Sequence, residues 1–129
     1  MIKHGLFIGK FYPPHHGHHA AIRMAASQCH EVTVLVMSAA VETIPLADRM
    51  AWFRAEHAAE PTVRVAGIPC DAPVDVTDPR IWAAQVAAMR AGMRSAGAPA
   101  DVDAVFSNDD YGSELARWFD AIHVRTARD

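Results

Sequence analysis

Residues 5–38 read GLFIGKFYPPHHGHHAAIRMAASQCHEVTVLVMS, and this stretch decides the fold class. Apolar, β-branched and aromatic residues fill segments 5–11 and 31–38, as is typical of buried strands. Segment 17–28 between them has the length and pattern of an amphipathic helix. A strand, a helix and a second strand in this order predict two parallel strands joined by a right-handed crossover.

The same alternation continues to the end of the chain. Pro79 suits the first turn of a later helix, and Gly97 suits that helix's C-terminal cap. Five parallel strands must be covered on both faces, which predicts a Rossmann-like, doubly wound α/β domain of three layers. We expect one such domain over residues 1–129, because a chain of this length builds a single core. The remaining strands are predicted at 63–68, 104–107 and 121–126, and the remaining helices at 47–59, 79–96 and 111–119.

The composition excludes several classes of protein. The chain is 51% hydrophobic and 21% charged, which is ordinary for a globular domain and not for a fibrous or disordered one. Its formal net charge of -3 provides no basic field for nucleic acid, and no apolar run is long enough for a membrane span. Cys29 and Cys70 form no CxxC pair. We therefore expect a cytoplasmic protein with reduced thiols that binds neither nucleic acid nor a membrane.

Four histidines crowd the segment between the first strand and the first helix, at positions 15, 16, 18 and 19. This segment leaves the sheet at its carboxyl edge, where open α/β sheets bind ligands. Gly9 breaks the end of the strand, Gly17 lets a ligand approach the backbone, and the N–H groups of the first helical turn attract an anion. His15 and His18 are three residues apart and can face the same side.

Three interpretations of these histidines stay open. A metal site is disfavoured, because adjacent histidines diverge and no Cys, Asp or Glu joins them within the segment. Solvent-facing histidines that merely cap a helix are a second interpretation. The surrounding glycines and prolines favour the third, a phosphate site in which imidazoles donate hydrogen bonds to a nucleotide.

Residues 9–18 resemble the GxFxPxHxGH signature of the HxGH nucleotidyltransferase superfamily. The GKFYP wording resembles the nicotinamide-nucleotide adenylyltransferases, above all the adenylyltransferase domain of the bifunctional bacterial NAD-biosynthesis regulators. This likeness extends to segments 45–53 (PLADRMAWF), 63–69 and 105–115 (VFSNDDYGSEL) and to the surroundings of Trp82.

The resemblance implies that nicotinamide mononucleotide (NMN) and ATP form NAD and pyrophosphate by in-line attack on the α-phosphorus. ATP, NMN and NAD are then the expected ligands, and a homo-oligomer stays open. The implied cofactor is Mg²⁺, which enters with ATP and is held mainly by phosphates. His15 and His18 match the two histidines of the motif and are the implied catalytic residues.

We expect substrate contacts along the carboxyl edge. Trp82 could stack on the cationic nicotinamide ring, or it could simply head an apolar stripe, with Trp118 at the opposite edge of the sheet. Arg49 and Arg80, in first turns of helices, indicate either an anionic ligand or solvated charges. The expected substrate-binding residues are Gly9, Lys10, Phe11, Tyr12, Gly17, Ser38, Arg49, Trp82, Ser107, Asn108 and Asp109.

Some of these positions also have an ordinary structural explanation. Asn108 and Asp109 precede a helix, where N-capping is their ordinary role. We interpret His57, His123 and the two cysteines as packing or surface residues.

The chain also departs from the resembled family. The family has an ISxTxxR-like segment that contacts the triphosphate after the fifth strand. Residues 126–128 (TAR) match it only weakly. We therefore expect the domain to lack this segment. No GxxxxGK[ST] motif of a kinase domain is present in the sequence.

Two further functions remain in competition. The first is another HxGH transferase, either a pantetheine-phosphate adenylyltransferase or a glycerol-phosphate cytidylyltransferase, against which GKFYP and Trp82 argue. The second is a non-catalytic sensor that binds NAD or another nucleotide.

Overall fold

A computed structural model describes residues 1–9, 11, 14, 16–38, 43–69, 77–107 and 111–126 of the chain. Five strands and four helices alternate within these ranges, as the sequence predicts. The elements are β1 (Ile2–Gly9), α1 (His16–Gln28), β2 (Cys29–Ser38), α2 (Leu46–Glu56), β3 (Val63–Pro69), α3 (Pro79–Ser95), β4 (Ala104–Ser107), α4 (Gly112–Trp118) and β5 (Ile122–Arg125).

All five strands are parallel and follow the order β3-β2-β1-β4-β5. From the central strand β1 the chain first builds outward to β2 and β3, then crosses to β4 and β5 on the other side. The order therefore reverses between β1 and β4, and the carboxyl ends of these two strands mark the position at which open α/β sheets form a ligand-binding crevice. This topology confirms the predicted Rossmann-like, doubly wound fold.

The two faces of the sheet bury separate cores. Leu6 and Ile8 of β1 point to one face, whereas Phe7 between them points to the other, because side chains alternate along a strand. The first core contains Trp82, Met89 and other residues of α3 and α4. The second contains Ile22 of α1 and Phe53 of α2. Helices thus cover both faces, as a parallel sheet requires.

The first strand differs from the prediction at both ends. It begins at Ile2, three residues before the predicted start, and Ile2 pairs with Cys29 of β2. His4 stabilises this extension, since its backbone N–H donates to Asp103 Oδ2 at 3.0 Å and its ring bonds Thr33 Oγ1 at 2.7 Å. At the other end β1 stops at Gly9, because Phe11 adopts a left-handed backbone with φ of 50°.

The ends of α3 confirm the roles predicted for Pro79 and Gly97. Asp78 caps the start by accepting the backbone N–H of Arg80 at 2.9 Å, and Pro79 follows it. At the other end Gly97 takes a φ of 79°, and Ala98 N–H donates to Met93 O at 2.9 Å. This is the hydrogen bonding of a Schellman motif. Among the helices of the described ranges, none is both long and apolar enough to cross a membrane.

Candidate functional site

The crevice is formed by the end of β1, the end of β4 and the start of α4. Ser107, the last residue of β4, is buried and its Oγ lies 3.4 Å from His123 Nε2 of β5. Gly112 begins α4 directly against these two side chains, because a Cβ at that position would come within 2.5 Å of the imidazole. The helix start, Ser107 and His123 therefore form one close-packed unit on the β4 side of the crevice.

Phe11 lies just after the end of β1 and packs into the second core, which α1 and α2 cover. Its ring is buried and makes edge contacts with Phe53 at 4.7 Å and with His18 at 4.9 Å between ring centroids. Gly9 leaves room for it, since a Cβ there would lie 3.1 Å from Phe11 Cζ. A bulky residue with positive φ is uncommon and is held only where surrounding contacts enforce it. Phe11 therefore ties the segment after β1 to the face covered by α1 and α2.

Gly17 and His18 occupy the first turn of α1, the helix that follows the central strand. This turn contains no acidic side chain that would neutralise the positive end of the helix dipole. Its backbone N–H groups and the imidazole of His18 can together donate hydrogen bonds to an anion. The other predicted residues of this segment, His15, Lys10 and Tyr12, lie outside the described residues.

His19 and His57 form a pair that the sequence did not predict. His19 Nδ1 of α1 lies 3.0 Å from Nε2 of His57, the residue that caps the end of α2. Glu60 Oε1 lies 3.5 Å from His57 Nδ1 and 2.6 Å from Nε of Arg23. Burial is the main cause that lowers the pKa of both histidines below 6.5. The pair therefore favours neutral imidazoles in the folded protein.

The pKa of Glu60 is lowered as well, chiefly by its hydrogen bond with Arg23. Our interpretation of His57 as a mere packing or surface residue is thus incomplete, because its buried ring is hydrogen-bonded. No spacing rule signals this pair, since it arises only when α1 and α2 pack side by side.

Arg49 ties the start of α2 to the end of β2. Its side chain is fully buried, and it donates from Nη2 to Ser38 Oγ at 2.6 Å and from Nη1 to Met37 O at 3.4 Å. The solvated-charge alternative is therefore wrong for Arg49. It holds for Arg80, which is 92% exposed and pairs with Asp78 at 3.3 Å.

Trp82 and Trp118 lie together rather than at opposite edges of the sheet. Their rings stack with centroids 6.4 Å apart and an angle of 14° between planes. The expectation of opposite edges is wrong because α4 has only seven residues, so its end stays within reach of the first turn of α3. Trp82 is 5% exposed and belongs to the apolar stripe with Val86, Met89 and Met93. A ligand could stack on it only after part of this cover moves.

The structure describes only some of the remaining predicted positions. Asn108, Asp109 and Cys70 lie outside the described residues, and α4 takes Tyr111 as its N-cap without a capping side-chain hydrogen bond. Cys29 is buried, and this burial raises the pKa of its thiol. His123, which we interpreted as a packing or surface residue, contacts Ser107 in the crevice.

Comparisons with known proteins agree with this architecture. The sequence model of the cytidylyltransferase-like family matches residues 6–91. A crystal structure of NadR protein in complex with NR is similar, with a TM-score of 0.74 and 19% identity over 98% of this chain and 37% of that one. NadR in complex with NAD and AMP-PNP gives a TM-score of 0.75 and 18% identity over 100% of this chain and 38% of that one.

A third solved structure is also similar in fold. It is a bifunctional NMN adenylyltransferase/ADP ribose pyrophosphatase from Francisella tularensis, complexed with AMP and a manganese ion. Its TM-score is 0.69 and its identity 16%, over 100% of this chain and 38% of that one. The chain thus spans less than two fifths of each of these three structures. At such identities the likeness establishes the fold, and no curated protein matches the chain in sequence.

Proposed function

Because the chain belongs to the cytidylyltransferase-like family, within the HxGH nucleotidyltransferase superfamily, we propose that it transfers the adenylyl group of ATP to NMN. The observation that carries this proposal is the position of His18. The last histidine of the GxFxPxHxGH match lies on the first turn of the helix that follows the central strand, beside the reversal in strand order. Anionic ligands bind at such helix starts in open parallel sheets.

The choice of NMN is supported by two independent lines. The GKFYP wording of residues 9–13 resembles nicotinamide-nucleotide adenylyltransferases. Similar solved structures hold NR in one case and NAD with AMP-PNP in another, and a third is named as an NMN adenylyltransferase. A pyridine nucleotide is therefore the acceptor we propose.

In this reaction a phosphate oxygen of NMN attacks the α-phosphorus of ATP, and the bond from that phosphorus to the bridging oxygen breaks. Pyrophosphate leaves with the electron pair, and NAD retains the new P–O–P linkage. The protein needs no nucleophile of its own, only positioning and donors aimed at the developing charge. His18 and the N–H groups at the start of α1 are the donors we assign, together with His15, the other histidine of the motif.

ATP enters this scheme as its magnesium complex. Within residues 1–9, 16–38, 43–69, 77–107 and 111–126, no three His, Cys, Asp or Glu side chains converge as ligands for a metal ion. Magnesium commonly keeps several waters and is bound through substrate phosphates. We therefore treat the ion as part of the substrate.

The other residues of the crevice would orient the two nucleotides. Gly17 keeps the backbone accessible at the start of α1, Gly9 makes room for the ring of Phe11, and Ser107 offers a hydroxyl at the end of β4. Ser38 is a second hydroxyl, and Arg49 fixes its orientation through the 2.6 Å hydrogen bond. Phe11, Lys10, Tyr12, Trp82, Asn108 and Asp109 stay predicted contacts.

A turnover assay with matched substrates tests the proposal. We expect NAD and pyrophosphate from ATP plus NMN, and much slower turnover of ATP with phosphopantetheine or of CTP with glycerol phosphate. His18→Ala should lower kcat by about a hundredfold or more while changing NMN affinity less, because it removes a donor to the transition state. His30→Ala is the control, since His30 is an exposed histidine on β2.

Two outcomes would overturn the assignment. Faster turnover of phosphopantetheine or glycerol phosphate would identify a different transferase. Binding of NMN or NAD without turnover of any substrate pair would identify a sensor instead of an enzyme.

A further inference from the structure

The His19–His57 pair is the least expected polar feature of the molecule, and it lies next to the residues proposed for catalysis. His57 is 3% exposed, yet its two ring nitrogens face His19 at 3.0 Å and Glu60 at 3.5 Å. Arg23 of α1 binds the same carboxylate at 2.6 Å and also donates to the backbone carbonyl of Glu56 at 3.1 Å. A chain of polar contacts therefore runs from α1 to the end of α2 and back.

Aromatic contacts connect this polar chain to His18. Phe53 contacts the rings of His19, with centroids 5.4 Å apart, and of His57, at 6.4 Å. On its other side Phe53 contacts Phe11, whose ring meets His18 at 4.9 Å. His18 and His19 are also neighbours on the first turn of α1. A displacement of His57 can therefore move His18 in two ways. It can act through His19 and the helix backbone, or through the contacting rings of Phe53 and Phe11.

We propose that His57 is a positioning residue for the transfer reaction, holding the first turn of α1, and with it His18, in place through its hydrogen bond to His19. The role of His57 in catalysis rests on the proposed function. The dependence of His18 on His57, a residue at the end of the next helix, does not. His57 contacts His19, Phe53 and Glu60, and we assign its effect on His18 to these neighbours.

The contacts favour one placement of the protons. Glu60 Oε1 lies 3.5 Å from His57 Nδ1 without the geometry of a hydrogen bond, but its negative charge favours a proton on that nitrogen, so Nε2 is the acceptor in the 3.0 Å contact with His19. His19 then donates from Nδ1, and its Nε2 is unprotonated. An imidazole whose tautomer is fixed by a second imidazole and a carboxylate keeps a single orientation.

Protonation would break this arrangement. If His57 gained a second proton, both of its nitrogens would be donors, and the His19 N–H would have no acceptor there. Among the described residues, the charged and titratable groups that act on the pair are Arg23 and His16 on α1, and Glu56 and Glu60 at the end of α2. Burial opposes a charge on either ring, so the neutral pair persists to a lower pH than free histidine would.

Nuclear magnetic resonance of the histidine rings tests the inference without any substrate. In the unmodified protein we expect ¹⁵N shifts of a neutral His19 protonated at Nδ1. The ring signals of His18 should change with pH at the point where the pair titrates, below 6.5. In His57→Phe, which keeps the ring stacked on Phe53, the Nδ1 proton preference of His19 should be lost and the His18 signals should shift. His57→Gln restores a hydrogen-bonding group without a titrating ring, so the His18 signals should return toward those of the parent protein, and the part of their change with pH that follows the titration of His57 should be lost.

Turnover provides a second readout. We expect kcat to fall by about tenfold in His57→Phe with little change in KM, because a small misplacement of a catalytic group costs rate more than binding. His57→Gln should recover most of that loss. If no substrate pair turns over at all, the proposed function is wrong. The histidine spectra still test whether His57 positions His18.

The matched control is His4→Phe, which makes the same change at another buried, hydrogen-bonded histidine. His4 bonds Thr33 Oγ1 and the backbone oxygen of Asp101, each at 2.7 Å, near the start of β1, whereas the first turn of α1 follows the end of that strand. This variant should lose stability while leaving the tautomer of His19 and the signals of His18 as they were. The inference is overturned if His57→Phe leaves His18 unchanged, or if His4→Phe shifts it equally.

Discussion

Gly112→Ala tests whether the start of α4 is as tightly packed against the crevice as its geometry indicates. In a helix, alanine normally gains up to about 1 kcal/mol over glycine. Here the new Cβ would fall inside van der Waals contact of Ser107 Oγ and only 2.5 Å from His123 Nε2. Overpacking of this kind costs about 1–3 kcal/mol. We therefore expect a net loss of about 1–2 kcal/mol from the free energy of unfolding.

Urea unfolding measures this effect directly. With a slope of about 1–3 kcal/mol per molar, typical of small proteins, the midpoint should fall by roughly 0.3–2 M. Ser113→Ala is the matched control, because Ser113 is the next residue of α4 and is exposed, so its midpoint should hardly move. In a Ser107→Ala background the same Gly112→Ala change should cost less, since one of the two close neighbours is gone. A Gly112→Ala protein as stable as the parent would refute the close packing of the helix start.

Three other outcomes follow from the geometry. Gly97→Ala should lower the free energy of unfolding by about 1–2 kcal/mol, although nothing lies within 4 Å of its added Cβ, because its φ of 79° is left-handed; urea unfolding checks it. Stability should fall as the pH drops below 6.5, since the lowered pKa values of His19 and His57 mean that the unfolded chain binds protons first; unfolding at pH 7.5 and 5.5 shows the sign, and a rise toward acid would contradict it. Trp82→Leu and Trp118→Leu should each destabilise the protein, with the double variant losing about 0.5–1.5 kcal/mol less than the sum, because the stack is lost only once; strict additivity would deny the stack.

The fold and the position of the first turn of α1, where we propose the site, were predictable because they depend on local pattern. Segments 31–38 and 104–107 are apolar enough to be strands in any parallel sheet, and β2 and β4 both end at the predicted serine, Ser38 or Ser107. Once strand and helix alternate, the connections must emerge at the carboxyl edge. The first turn of α1 was therefore placed correctly by sequence alone.

What the sequence could not provide is contact between elements. Ile2, Lys3 and His4 carry no continuous apolar pattern, so the start of β1 depends on the polar contacts of His4 with Thr33 and Asp103. Arg49 looked like a surface charge because burial of a guanidinium depends on acceptors far from it in sequence. The pairing of two histidines, or of two tryptophans, likewise depends on how helices pack, which no residue spacing encodes.

The position of β1 between β2 and β4 has a consequence for the order in which the protein assembles. Its pairing with β2 needs only the closure of one crossover, whereas Gly5 meets Ala104 from nearly the far end of the chain. Long loops close late, because closing them costs more conformational entropy before any stabilising contact forms. The crevice exists only after that second pairing, so it is a late product of folding. A nucleotide that binds there would select chains whose two halves have already docked, and its binding would report completed folding.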